Sequence, residues 1–432
     1  MKKLVLLFCL LSGSVSFSQN WSICNAPAFN SRVDDIFMVN AQVGYAASGD
    51  GKIVKTVDGG TNWTQIAQDG AVYFRSVEFL TEEVGFVGGF PVGRVQGTNA
   101  IILRKTIDGG NNWIDLTPSV PQKARAGICG LSVVDENIIY GCGNWYQDTG
   151  YIIKSTDGGA SWGLIELPGL ATSLIDLNFI NKDSGFAVGK GLPPFENGVI
   201  LSTTDGGISW HRVYKTDGNK QYCWKIQRLD PRNYFVSIQN VISSQPKVLR
   251  SINGGLTWSA AIVSNEFYNI QGIGYIDSLH GWTGGDVNKS YETINGGQSW
   301  TEISICPSMN RVFRVNDTIV FATGAQIWKY NKLGIITSVP VVPPVIRFVS
   351  LKCYPNPVND ILKVDITIKV STHVSLVLLD ASGKQIKVID NTDRVKGAYK
   401  FKVNTADIPA GLYYVSLMTH EDKTAQAIIV SQ

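Results

Sequence analysis

Charge is scarce in this 432-residue chain: Asp, Glu, Lys and Arg together make up 17% of it, and the net charge is only +3. So mild a balance argues against nucleic acid or an anionic membrane surface as a partner. Histidine is scarcer still. The four copies, His211, His280, His373 and His420, are dispersed, which argues against a His-based metal or nucleophile site. No two cysteines stand in C-x-x-C spacing, so neither a zinc site nor a thioredoxin-like motif is expected. There is no Ser-centred elbow and no phosphate-cradling loop, and no cofactor is expected. Beyond the first twenty residues no stretch is apolar enough to span a bilayer.

What the chain has at its start is a leader. Lys2 and Lys3 precede an apolar run from Leu4 to Leu11, and Ser16-Phe17-Ser18 places small residues where a signal peptidase reads. The expected signal peptide is 1–18, with a mature start at Gln19. Cys9 follows Phe8 rather than a small residue, which argues against lipoprotein processing. Six cysteines then remain in a compartment that permits disulfides. One pair follows from register: a two-residue turn within 134–137 sets Cys129 opposite Cys142, with two small buried residues as the competing reading.

Glycine is abundant (44) and aromatics make up 10%, which suits short strands and tight turns. A repeat dominates the pattern. KTVDGGTNW returns as KTIDGGNNW, KSTDGGASW, STTDGGISW, RSINGGLTW and ETINGGQSW, ending at Trp63, Trp113, Trp162, Trp210, Trp258 and Trp300. Its turn residues are Asp58, Asp108, Asp157, Asp205, Asn253 and Asn295, at intervals of 50, 49, 48, 48 and 42. The Asp or Asn accepts backbone N–H bonds, and the Gly two places on takes positive φ. The hydroxyl two places before locks the turn, and the Trp covers it. Each unit carries four strand-like segments. Six boxes, three further strands after Trp300 and a lone strand at Trp21–Cys24 predict an all-β, seven-bladed β-propeller closed by the N-terminal strand, with six or eight blades as alternatives.

These boxes resemble the Asp-box (bacterial neuraminidase) repeat, and their spacing resembles the photosystem II assembly-factor-like propellers. The resemblance covers roughly residues 20–330, and it implies a box between the third and fourth strand of each blade, away from the active face.

The composition shifts at Leu333 to a Pro-rich linker, expected over 333–346, and then to short alternating strands. Residues 347–432 are expected to form a small Ig-like β-sandwich after the propeller of 19–332. YPNPVND, LLDASGKQI and TADIPAGLYYVSL resemble successive motifs of the type IX secretion C-terminal sorting domain of Bacteroidetes. That resemblance implies partners in the type IX machinery and a surface sortase, reached through the periplasm, and a secreted or cell-surface product. An ordinary adhesive sandwich is the alternative.

The boxes are structural and no evidence of catalysis. No set of three Arg with a Tyr–Glu pair is assignable, and Asp35, Glu78 and Asp176 are scattered carboxylates whose convergence the sequence does not reveal. Two sets of candidate binding residues stand out instead. The loops between second and third strands are long in blades two to five, gathering Phe90, Arg94, Trp145, Tyr146, Asp148, Phe195 and Glu196 at one rim. Aligning the inner strands gives a column of Asp35, Arg75, Gly130, Ile175, Lys225, Gln271 and Arg311. In it Arg75, Lys225 and Arg311 are expected to make a basic channel mouth. The expectation is a non-catalytic binding or scaffold module for a glycan or protein. The alternatives are an Asp-box glycoside hydrolase using channel carboxylates and a purely structural adhesion component.

Overall fold

The structure, a computed structural model, describes residues 20–94, 100–143, 149–241, 245–286, 288–334, 349–369, 371–381, 383–419 and 423–431. The chain divides into two compact units, Met1–Ile336 and Thr337–Gln432.

The first unit is a seven-bladed propeller. Its seven four-stranded antiparallel sheets, among the described residues, have inner strands Val33–Met38, Val72–Phe79, Gly130–Val133, Ser173–Phe179, Gln221–Arg228, Ile270–Tyr275 and Arg311–Arg314. Six blades run in chain order from inner to outer strand. The seventh does not. Its outer strand is Trp21–Ile23, which pairs antiparallel with Ile327–Asn331, Trp21 opposite Tyr330. This closes the ring and leaves no inter-blade gap. Trp21 is buried at the closure, edge-on to Trp282 (centroids 5.2 Å) and tilted against Tyr330 (5.3 Å).

Each box is a hydrogen-bonded turn after the third strand of its blade. In the first, Thr56 Oγ1 donates to Asp58 Oδ1 (2.9 Å) and accepts from Gly60 N (2.9 Å). Asp58 Oδ1 also takes the N–H of Asn62 (2.9 Å), and Trp63 Nε1 donates to Gly60 O (3.1 Å). Gly60 has φ +83°, and an added Cβ would lie 2.4 Å from the Phe321 ring, so sterics and backbone both demand glycine. Asn253 and Asn295 substitute for Asp with the same geometry, accepting from Thr257 N and Ser299 N at 3.0 Å.

The boxes also tie neighbouring blades together. A basic residue three places before the Asp reaches the next box's first glycine carbonyl: Lys55 to Gly109 (2.9 Å), Lys105 to Gly158 (2.7 Å), Lys154 to Gly206 (2.9 Å) and Arg250 to Gly296 (2.9 Å). Lys329 of blade seven makes the same tie to Gly59 (2.7 Å). Blade six faces a blade without a box, and Glu292 occupies the equivalent position. It accepts from Trp282 Nε1 (2.9 Å) and lies 2.8 Å from His280 Nε2.

The hairpin of blade three departs from the expected register. Val133 pairs with Ile139 and Gly130 with Cys142, because the turn runs from Val134 to Ile138, one residue longer than expected. Cys129 instead donates its backbone N–H to Cys142 O (2.7 Å). The direct opposition on which the Cys129–Cys142 disulfide rested is therefore absent.

The second unit is a two-sheet sandwich. A three-stranded sheet orders Val349–Tyr354, Ile361–Ile368 and Gly397–Asn404; a four-stranded one orders Gln385–Arg394, Thr372–Asp380, Gly411–Met418 and Lys423–Val430. Ile361–Ile368 alternates, burying Leu362, Val364, Ile366 and Ile368 against Val374, Leu376 and Leu378 of the other sheet.

Candidate functional site

The inner strands start on the face of the long second-to-third-strand loops and end on the box face, so their residues line the channel from mouth to floor. They are buried and mainly apolar, yet each carries a polar residue near its start. Five of them bulge there, at Asp34, Arg75, Ile175, Trp224-Lys225 and Gln271. A bulge turns one additional side chain toward the axis. It also shifts the column by one in blade one, where Asp34 rather than Asp35 is the bulged residue.

The three basic residues do gather in the channel, but not as a bare positive mouth. Arg75 Nη1 lies 3.0 Å from Asp34 Oδ1, which also receives Arg32 Nε at 2.8 Å. Arg311 bridges two carboxylates, with Nε 2.6 Å from Asp35 Oδ1 and Nη1 2.9 Å from Asp176 Oδ2. Lys225 Nζ is 4.0 Å from Asp176 Oδ1 and has no hydrogen-bond partner among the described residues. Burial disfavours the charge on Lys225, the Arg311 guanidinium adds to that, and its pKa is lowered. Burial works against ionisation of Asp176 too, but Arg311 and Lys225 outweigh it and hold its pKa below the usual value. The expected basic cluster is thus interleaved with carboxylates from other blades.

Two cavities open along this axis. The floor chamber, of about 210 Å³, is lined by Asp35, Glu78, Asn178, Gln227, Arg311 and Arg314 among others. Burial, reinforced by the charges of Asp35 and Asp176, pushes the Glu78 carboxyl up to about 8. Asp35 and Glu78 thus line one chamber, and Asp176 is tied to Asp35 through Arg311, although the three are distant in sequence.

The mouth pocket, of about 350 Å³, is walled by Arg32, Gly49, Tyr73, Arg75, Phe90, Pro91, Val92, Gly93 and Trp224. Here one rim residue and one channel residue of the two candidate sets meet. Phe90 stacks on Tyr73 (5.1 Å, 8° between planes), and the Arg75 guanidinium sits over the Trp224 ring (5.2 Å). Trp224 is oriented by its Nε1 bond to Asn310 Oδ1 (2.8 Å), and Asn310 in turn holds Asp34 O (2.6 Å).

The other rim candidates do not join this pocket. Phe195 is exposed on the blade-four loop, where Glu196 pairs with Lys190 (2.8 Å). Trp145, Tyr146, Asp148 and the Arg94 side chain lie outside the described residues. Arg32, Asp34, Tyr73 and Trp224 went unnoticed in the sequence. Their one visible signal is a charged or amphipathic residue inside an otherwise apolar inner strand.

Residues 352–431 match the family described as the secretion system C-terminal sorting domain. The C-terminal sandwich is a type IX sorting domain. The chain is accordingly exported by type IX secretion to the cell surface or extracellular space. No helix among the described residues is long and apolar enough to cross a membrane.

The propeller is similar to two solved structures of a photosystem II assembly factor. One is YCF48 bound to D1 peptide: TM-score 0.56, 15% identity, covering 72% of this chain and 97% of that one. The other is YCF48 from Cyanidioschyzon merolae: TM-score 0.55, 16% identity, 73% and 100%. The chain is also similar to the GH74 xyloglucanase of Xanthomonas campestris: TM-score 0.54, 11% identity, covering 94% of this chain and 67% of that one. At these identities the likeness is one of fold. No curated protein matches the chain.

Proposed function

We propose that the exported propeller is a non-catalytic binding module for an extracellular glycan or protein. One observation carries this reading: the channel carboxylates of Asp35 and Asp176 are occupied. Asp35 and Asp176 share Arg311, and both also accept backbone N–H groups: Asp35 Oδ1 that of Ile36 (3.0 Å), Asp35 Oδ2 that of Val77 (3.2 Å), and Asp176 Oδ2 that of Ile226 (3.1 Å). A two-carboxylate hydrolase needs one acid and one available base or nucleophile. Here the acid-like group, Glu78, faces carboxylates already held by cation and backbone.

That same Glu78 favours a second reading, hydrolysis of extracellular polysaccharide, since a carboxyl raised by burial and neighbouring carboxylates has the character of a general acid. Incubating the secreted chain with plant and bacterial polysaccharides, with reducing ends assayed, separates the two. Retention on a glycan or protein array without new reducing ends supports the binding module. Turnover abolished by Glu78→Gln overturns it in favour of the hydrolase.

A further inference from the structure

We propose that the mouth pocket is a binding site for a carboxylate-bearing sugar ring, a uronic acid residue of an acidic polysaccharide. The proposal rests on the binding-module reading and assigns that module a place and a ligand class.

Charge in the pocket is the first ground. Two guanidiniums, Arg32 and Arg75, face a single carboxylate, Asp34, at 2.6 and 3.0 Å. The next acid, Asp286, is exposed and 3.9 Å from Arg32, where water screens it. The mouth therefore holds one cation in excess. Deeper in the channel the charges balance, with Arg311 and Lys225 against Asp35 and Asp176.

The second ground is a donor without an acceptor. Arg75 is 4% exposed, and its Nε has no hydrogen-bond partner among the described residues. A buried guanidinium with an N–H left unpaired is costly, and Arg75 lines the pocket, so a carboxylate seated against that wall gives the guanidinium a further charge-assisted partner. Burial works against the Arg75 charge, but Asp34 outweighs it and raises its pKa, so the donor stays cationic.

Shape and wall chemistry supply the third ground. About 350 Å³ lies within the range of small-ligand sites and admits one ring rather than a buried chain. Tyr73, Phe90 and Trp224 form apolar walls of the kind that pack on the C–H faces of a sugar. Backbone groups at the wall are already used: Gly49 N donates to Arg32 O (2.8 Å) and Val92 N to Ala71 O (2.9 Å). An acidic peptide would find no main-chain pairing edge among the described residues there, so peptide recognition through backbone hydrogen bonds is disfavoured.

Titration calorimetry of the mature chain with tetragalacturonate, tetramannuronate, maltotetraose and a Glu-rich octapeptide tests the assignment. At least one uronate should bind ten-fold or more tighter than maltotetraose and weaken as salt is raised. Val92 is 52% exposed at the pocket edge, so Val92→Glu adds a repelling charge without touching the core; it should reduce uronate binding at least ten-fold, and Val92→Gln should not. Arg32→Gln should also weaken it. Uronates binding no tighter than maltotetraose, or tightly but indifferent to Val92→Glu and Arg32→Gln, would overturn the site. The octapeptide binding with the same variant dependence, in place of the uronates, would overturn the ligand class. Retention of some other glycan, indifferent to these variants, would sink this proposal and leave the binding module standing.

Discussion

In an Asp-box turn the bonded partners lie two to four residues apart: Thr56 with Asp58, Gly60 with Thr56, Asn62 with Asp58. In the channel wall of the same propeller, Arg311 reaches Asp35 across 276 residues and Asp176 across 135. The boxes are polar turns at the surface, where an unmade bond is replaced by water. The channel network is buried, where an unmade bond leaves a charge in a poor solvent. The difference teaches where this fold is fragile. Local turns recur in six of the blades, while a few long-range contacts lock the ring.

The largest expected effect falls on the longest-range lock. Trp21→Ala removes the buried ring that joins the N-terminal strand to the seventh blade, and should cost about 3–5 kcal/mol in urea unfolding. Arg311→Met should cost a comparable ~3–5 kcal/mol, because it strands two buried carboxylates. Adding Asp35→Asn and Asp176→Asn should recover much of the loss. Failure to recover would show that Arg311 acts by packing rather than by charge.

Within a box, Thr56→Ala should cost only about 1–2 kcal/mol, since it removes one hydroxyl from a local turn. A cost equal to that of Arg311→Met would break the comparison.

Glu78 titrates in the opposite sense to the boxes. Its folded pKa, about 8, lies above the ordinary 4.5, so its contribution is complete below about 4.5 and is lost as pH rises through 8. Glu78→Gln should therefore stabilise the propeller at pH 9 and leave it unchanged at pH 4, read as a shift in denaturation midpoint.

The smallest effect belongs to the box acids. Hydrogen bonds from Ser161 and Ser209 hold Asp157 and Asp205 at about 2, below the ordinary 3.8. Their contribution is present above 3.8 and fades as pH falls toward 2. Replacing both with Asn, as blades five and six already have, should flatten stability between pH 4 and 2.

The long-range contacts were also the ones hardest to see in the residues. The box turns were legible because Thr56, Asp58, Gly60 and Trp63 serve each other within eight residues and recur six times. The closing strand was legible from what blade seven lacked. The disulfide expectation failed at a single residue of turn length, where nothing local distinguishes a register sum of 271 from 272. The basic column was misread for a related reason. Arg75, Lys225 and Arg311 were visible, but the bulges at Asp34 and Trp224-Lys225 rotate neighbouring residues toward the axis, and pairing between strands sets those bulges.

By itself, then, the sequence determined the period, the box turns and the sorting tail, since each depends on residues close in the chain or repeated along it. Only the tertiary structure decided that Asp34, Asp35 and Asp176 pair with the channel's basic residues, and that Phe90 and Arg75 share a pocket with Trp224. Those meetings arise from closing seven blades into a ring, which brings residues as far as 276 apart within hydrogen-bond reach.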